Sequence, residues 1–139
     1  MDSQAFLDRV GAYHRDGWRL AIINTTSILP TDEIEGGAFD VSWSFAQDDG
    51  RLEHLRERVL PGEEVPSISD YFGAAFLYEN EVRELFGINV TGLNLDLQGQ
   101  LYKTATKVPF SHQAVKARLA ATAAAAEAAA AAQAAEQKS

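Results

Sequence analysis

The chain has 139 residues, a net charge of −8 and no cysteine. One domain accommodates that length, and the missing thiols exclude disulfides, cysteine catalysis, iron–sulfur ligation and cysteine zinc sites together. The 12 Lys and Arg are scattered among 20 acids, whereas nucleic-acid binders gather cations into a stripe that neutralises phosphate, so no nucleic acid is expected as a partner.

No segment offers the roughly 18 uninterrupted apolar residues of a membrane span, so no direct membrane crossing is expected. The opening MDSQAFLDRV lacks a basic stretch followed by an apolar run, so no secretory leader is expected and the chain reads as cytoplasmic. From 117 to 135 nearly every residue is alanine. That places the packed domain at residues 1–115 and leaves 116–139 as a helical or disordered tail.

Ser3 is positioned to cap a first helix, with Phe6, Val10 and Tyr13 on its buried face and a stop before Gly17. Trp18 to Thr25, WRLAIINT, is rich in large and β-branched residues and reads as a strand. Ser27 to Gly37 contains Pro30 and a glycine pair and reads as a loop. In Asp40 to Phe45, Val41, Trp43 and Phe45 alternate with polar residues, the pattern of a half-buried strand. QDDG at 47–50 is hairpin chemistry. Arg51 to Leu60 then returns as an edge strand, because Arg56 and Arg58 share a face with Leu52 and Leu60. Pro61 to Pro66 is expected to be a loop.

Ser67 with Asp70 resembles a capping box, opening a helix over about 69–86 that closes at Gly87. Its buried stripe would be Tyr71, Ala75, Tyr78, Val82 and Leu85, with Phe72 and Phe76 beside it. On that wheel Asn80, Arg83 and Glu84 point away from the core. Leu93, Leu95 and Leu97 alternate with Asn94 and Asp96, so part of this stretch is expected to pair as a strand. From about Ser111 the chain turns helical into the alanine tract. The elements add up to an α+β single domain: an N-terminal helix, a small, mostly antiparallel sheet with a hairpin, one long packed helix and an alanine-rich C-terminal helix.

Chemistry-bearing residues do not converge. His14, His54 and His112 lie on different elements without metal-ligand spacing. No glycine-rich phosphate loop follows a strand, and no nucleophile elbow surrounds a serine. The densest charge is in YENEVRELFG, residues 78–87, which is open to three readings: an acid/base site, a docking face or solvated surface. Glu79 and Glu81 sit about 200° apart on a helix and diverge, so the acid/base reading fails. Glu79 and Arg83 are spaced for an i,i+4 ion pair in the favoured order.

The run PSISDYFGAAFLYENEVRELFGINVTG resembles the signature of the C subunit of NADH:quinone oxidoreductase, the respiratory complex I. The matching positions are Ser67, Ile68, Glu79, Glu81, Glu84, Leu85, Phe86, Gly87 and Ile88, and the likeness extends over roughly residues 4–110. Respiratory forms continue through Gly-His-Pro and an arginine pair. Here the continuation is TGLNLDLQGQLYKTATKVPF, which is similar to the shortened relatives in energy-converting nickel–iron hydrogenases of the Ech type.

The hydrogenase resemblance implies a non-catalytic subunit with no cofactor of its own, peripheral on the cytoplasmic side of the cell membrane. It would dock on the hydrogenase large subunit, beside an iron–sulfur small subunit and membrane subunits. Those partners would hold the nickel–iron centre and iron–sulfur clusters, and the complex would couple ferredoxin oxidation and proton reduction to ion translocation. By the same resemblance Glu79, Glu81, Arg83, Glu84, Phe86 and Gly87 form the partner interface, extended by Lys103, Thr104, Lys107 and Phe110. The alternatives are the respiratory counterpart in complex I, a stand-alone carboxylate enzyme and a solitary binding module.

Overall fold

The structure, a computed structural model, describes residues 1–94, 96–98, 101 and 108–137. It is α+β. Helix α1 (Ser3–Arg15) leads into three strands, β1 (Arg19–Ile28), β2 (Ala38–Ala46) and β3 (Leu52–Val59). They form an antiparallel sheet in the order β1-β2-β3. The short strands β4 (Glu64–Pro66) and β5 (Asn89–Thr91) flank helix α2 (Ala75–Phe86), and helix α3 (His112–Gln137) closes the chain.

Alternation decides which face of the sheet is buried. Register sets Ile23, Trp43 and Leu55 in one row and Ser27, Phe39 and Val59 in another, and five of these six side chains are buried. Helix α1 lays Phe6 on Trp43 at 4.6 Å and stacks Tyr13 on Phe45 at 4.2 Å. Helix α2 covers the rest: Val82 meets Ile23, Val41, Trp43, Val65, Ile88 and Val90 around an internal space of about 10 Å³. That is room for one water at most. Each such large side chain contributes about 1.5–3 kcal/mol by burial. The opposite sheet face carries Asn24, Thr26, His54, Arg56 and Arg58, all exposed.

The QDDG turn forms as expected. Gly50, at φ 89°, donates to the Gln47 carbonyl, and Asp49 accepts from the Arg51 backbone. Strand β3 is an edge, also as expected.

Several boundaries differ. Asp2, not Ser3, caps α1, accepting from the backbone N–H groups of Gln4 and Ala5 at 3.1 Å. Strand β1 continues to Ile28, into the expected loop, because its pairing with β2 extends to Ala38. The Pro61–Pro66 stretch is not wholly loop: Glu64–Pro66 pair in parallel with Asn89–Thr91, a contact between segments 25 positions apart that no local pattern signals. The pairing that alternation suggested at 93–97 falls earlier, in β5. Leu93, Asn94, Asp96 and Leu97 lie outside strands.

The expected capping box is absent. Helix α2 begins at Ala75, with Ala74 at the cap position and no side-chain hydrogen bond there. Residues 68–72 instead form a tight turn in which Tyr71 and Phe72 both donate to the Ile68 carbonyl, at 3.0 and 2.9 Å. Gly73 follows, and an internal glycine costs a helix about 1 kcal/mol. Tyr71 accordingly lies exposed rather than on a buried stripe. Helix α3 does form over the alanine tract, and every described side chain from Lys116 onward is exposed. Its start is anchored: His112 stacks on Phe39 at 4.4 Å and bonds the Ala38 carbonyl at 2.8 Å.

Candidate docking site around helix α2

The charged run of α2 faces its own loops. Glu79 is 4% exposed, turned between Val82 and the core strands. Its Oε1 accepts from the Ile68 backbone N–H at 2.7 Å and its Oε2 from the Ser67 hydroxyl at 2.6 Å. Burial pushes its carboxyl above the ordinary glutamate range, while the two donors pull the other way. The expected Glu79–Arg83 ion pair therefore does not form: although one helical turn apart, the two side chains lean to different partners, Glu79 to Ser67 and Ile68 and Arg83 to Asp96.

Ser67, read from sequence as a helix cap, is the hub on that side. Besides Glu79 it bonds the Ser69 hydroxyl at 2.7 Å and accepts from the Ser69 backbone at 3.1 Å, and its own N–H donates to the Thr91 carbonyl. Ser69 in turn accepts from Asn94 at 3.3 Å. The loop before α2 and the segment after β5 are thus tied through two serines and one carboxylate.

The next face of the helix holds the segment beyond β5. Asn80 is 3% exposed, not pointing away as the wheel suggested. It donates to the Phe76 carbonyl at 2.7 Å and accepts from the Leu97 N–H at 2.9 Å. Arg83 meets Asp96 at 2.8 Å, and that guanidinium holds the Asp96 carboxyl below its usual range. Asp96 also accepts from Gln98, and Glu84 accepts from the Leu101 N–H at 2.8 Å. One sequence run braces two loops, with Glu79 held by Ser67 and Ile68 and Glu84 by Leu101.

The helix ends at Gly87, φ 76°, whose N–H donates to the Arg83 carbonyl. A Cβ there would lie 2.8 Å from Val108 Cγ1, so only glycine fits both the left-handed turn and the close approach. Phe86 packs against Phe39 and Phe110 at 6.2 and 5.2 Å, and the Phe110 N–H donates to the Leu85 carbonyl at 2.7 Å. Beside this turn an open groove of about 390 Å³ is lined by Leu60, Pro61, Phe86, Gly87, Val108 and others.

Of the sequence-predicted interface, Glu79 is internal, Glu81, Arg83, Glu84, Phe86 and Phe110 are half-buried, and Gly87 is exposed. Lys103, Thr104 and Lys107 lie outside the described residues. Sequence reasoning missed Ser67, Ser69, Asn80 and Asp96 as working parts. The signal for Asp96 is its pairing type with Arg83, but 13 residues of separation hide it. Trp18 and Trp43 pack structurally, Trp43 at 2% exposure and Trp18 edge-on to Tyr13 at 5.6 Å. Among the described residues no three His, Asp or Glu side chains are arranged to hold a metal, and no helix is long and apolar enough to cross a membrane.

A family described as respiratory-chain NADH dehydrogenase, 30 Kd subunit, matches residues 4–115 by its sequence model. No curated protein matches the chain. The matched stretch takes in α1, the sheet, α2 and its bracing loops, and stops where the exposed alanine helix leaves the domain. The chain belongs to the respiratory-chain NADH dehydrogenase 30 Kd subunit family, and is thereby a subunit of a complex I-like oxidoreductase.

Proposed function

We propose that this chain is a non-catalytic assembly subunit of the cytoplasmic arm of a membrane-bound, energy-converting nickel–iron hydrogenase, docked on the large catalytic subunit. The observation that carries the docking role is the engagement of Glu79, Asn80, Arg83 and Glu84 with the chain's own loops. It gives these four side chains a structural task, bracing the loops beside the helix. Phe86 and Phe110 pack together beside Gly87 at the end of the braced helix, and the docking surface is assigned to this end together with Glu81, Lys103, Thr104 and Lys107 on the strength of the family resemblance. With no cysteine in the chain, the nickel–iron centre and iron–sulfur clusters belong to the neighbouring subunits.

The hydrogenase assignment is supported by the TGLNLDLQGQLYKTATKVPF ending, which lacks the His-Pro and arginine pair of respiratory forms. A second reading, the corresponding subunit of respiratory NADH:quinone oxidoreductase, is favoured by the description of the matching family. Purification from native membranes in gentle detergent, followed by mass spectrometry and metal analysis, separates the two. Nickel with a hydrogenase large subunit supports the first reading. Iron and flavin without nickel supports the second. A metal-free monomer overturns both. Within the complex, Glu81→Lys should weaken co-purification more than it lowers the melting temperature of the chain itself.

A further inference from the structure

The charges of β3 are sorted by face. Glu53 and Glu57 turn toward α1, where Tyr13 and Arg9 reach them at 2.9 and 3.2 Å. His54, Arg56 and Arg58 alternate with them on the opposite, exposed face. There register sets Asn24, Ser42 and Arg56 in one row and Thr26, Asp40 and Arg58 in the next. These rows line an open trough of about 790 Å³. Arg58 donates to both Asp40 oxygens, from Nε at 3.0 Å and Nη2 at 3.3 Å, which leaves Nη1 outward, whereas Arg56 makes no ion pair among the described residues. On a chain of net charge −8, this face carries Arg19, Arg56 and Arg58 against Asp40, while Glu57, which also borders the trough, turns to Arg9.

We propose that the trough receives an acidic α-helix of a neighbouring polypeptide, whose carboxylates meet Arg56 and Arg58. Three strands about 4.8 Å apart make a bed about 14 Å wide, which takes one helix of about 10–12 Å. Two arginines two residues apart on a strand are separated by about 6.7 Å, near the 5.4 Å pitch that would place carboxylates one helical turn apart. The short floor residues Asn24, Ser42 and Thr26 let a helix approach closely. The rows carry no aromatic ring on which a base would stack, which disfavours a polynucleotide. The footprint, about 300 Å², falls below the roughly 800 Å² per partner of a self-sufficient interface. The trough is therefore a second contact inside an assembly held together elsewhere, and it rests on the reading of the chain as an assembly subunit.

The test uses the native complex carrying Thr26→p-benzoylphenylalanine. Irradiation should crosslink it to a partner helix bearing acids one turn apart. Separately, Arg56→Glu should speed salt-driven release of the chain roughly tenfold, and the near-isosteric Asn24→Asp should act in the same direction. Reversing the crosslinked acids to arginine should restore retention of Arg56→Glu. A crosslink to nucleic acid, to α3 of the same chain or to a non-acidic surface overturns the proposal. So does an intact complex with no crosslink, or unchanged retention of Arg56→Glu. A wild-type chain that purifies without partners overturns the assembly reading itself, and is distinguishable from those results.

Discussion

Replacing Glu79 probes the brace directly. In Glu79→Ala the Ile68 N–H, on a fully buried residue, loses its acceptor, which costs about 1–3 kcal/mol. The lost Cγ methylene, packed near Val82 and the core strands, adds about 0.8 kcal/mol. The expected loss is about 2–4 kcal/mol, lowering the melting temperature by about 10 °C for a domain of this size. Glu79→Gln keeps the shape and an acceptor for Ile68, while its amide nitrogen can donate to Ser67 Oγ, so its loss should stay below about 1 kcal/mol.

The pH dependence supplies a second readout. Burial raises the folded carboxyl above its ordinary value of 4.5, so between 4.5 and the raised value the folded chain binds the proton more tightly than the unfolded one. Stability relative to Glu79→Gln is therefore full below 4.5 and is lost as pH rises through the folded value. Urea unfolding of wild type and both variants across this range measures it. Equal effects of the alanine and glutamine variants, with no pH trend between wild type and glutamine, would place the carboxylate in water and refute the brace.

Three further outcomes follow from local geometry. The Thr25 hydroxyl is buried without a hydrogen-bond partner among the described residues, so Thr25→Val should stabilise the fold by about 1 kcal/mol in denaturant unfolding. Gly87→Ala combines a left-handed φ of 76° with a 2.8 Å approach to Val108, whereas Gly50→Ala meets nothing within 4 Å. Both should destabilise, Gly50→Ala by about 1–2 kcal/mol and Gly87→Ala by more, as read from thermal melts. The Arg83–Asp96 pair is partly exposed, so a double-mutant cycle should return a small favourable coupling that fades at high salt. A coupling indifferent to salt would contradict that exposure.

Local chemistry made most of the elements legible. The alternation of Val41, Trp43 and Phe45 fixes which side of β2 is buried, because a strand's side chains must point to opposite faces. Asp-Gly at 49–50 and Gly87 announce a hairpin and a helix end, since each supplies a backbone conformation that other residues adopt at a cost. The alanine tract favours helix, the conformation for which alanine has the highest propensity, and helix is what forms there. The spaced pattern through YENEVRELFG was enough to suggest the family.

The bracing network was not legible, because most of its bonds join residues far apart in sequence. Ser67 follows the pattern of a helix cap, and nothing nearby says that its hydroxyl will reach Glu79, twelve residues on. Glu79 and Arg83 have ideal spacing for each other, yet a buried backbone N–H claims one and Asp96 the other. An exposed helical ion pair is worth about 0.3–0.5 kcal/mol, while leaving the Ile68 donor unsatisfied costs several times that. The sequence by itself determined the three strands of the antiparallel sheet, the hairpin turn and the charged run. Only the tertiary structure decided that the run points inward and that the bases of β3 gather on the open face.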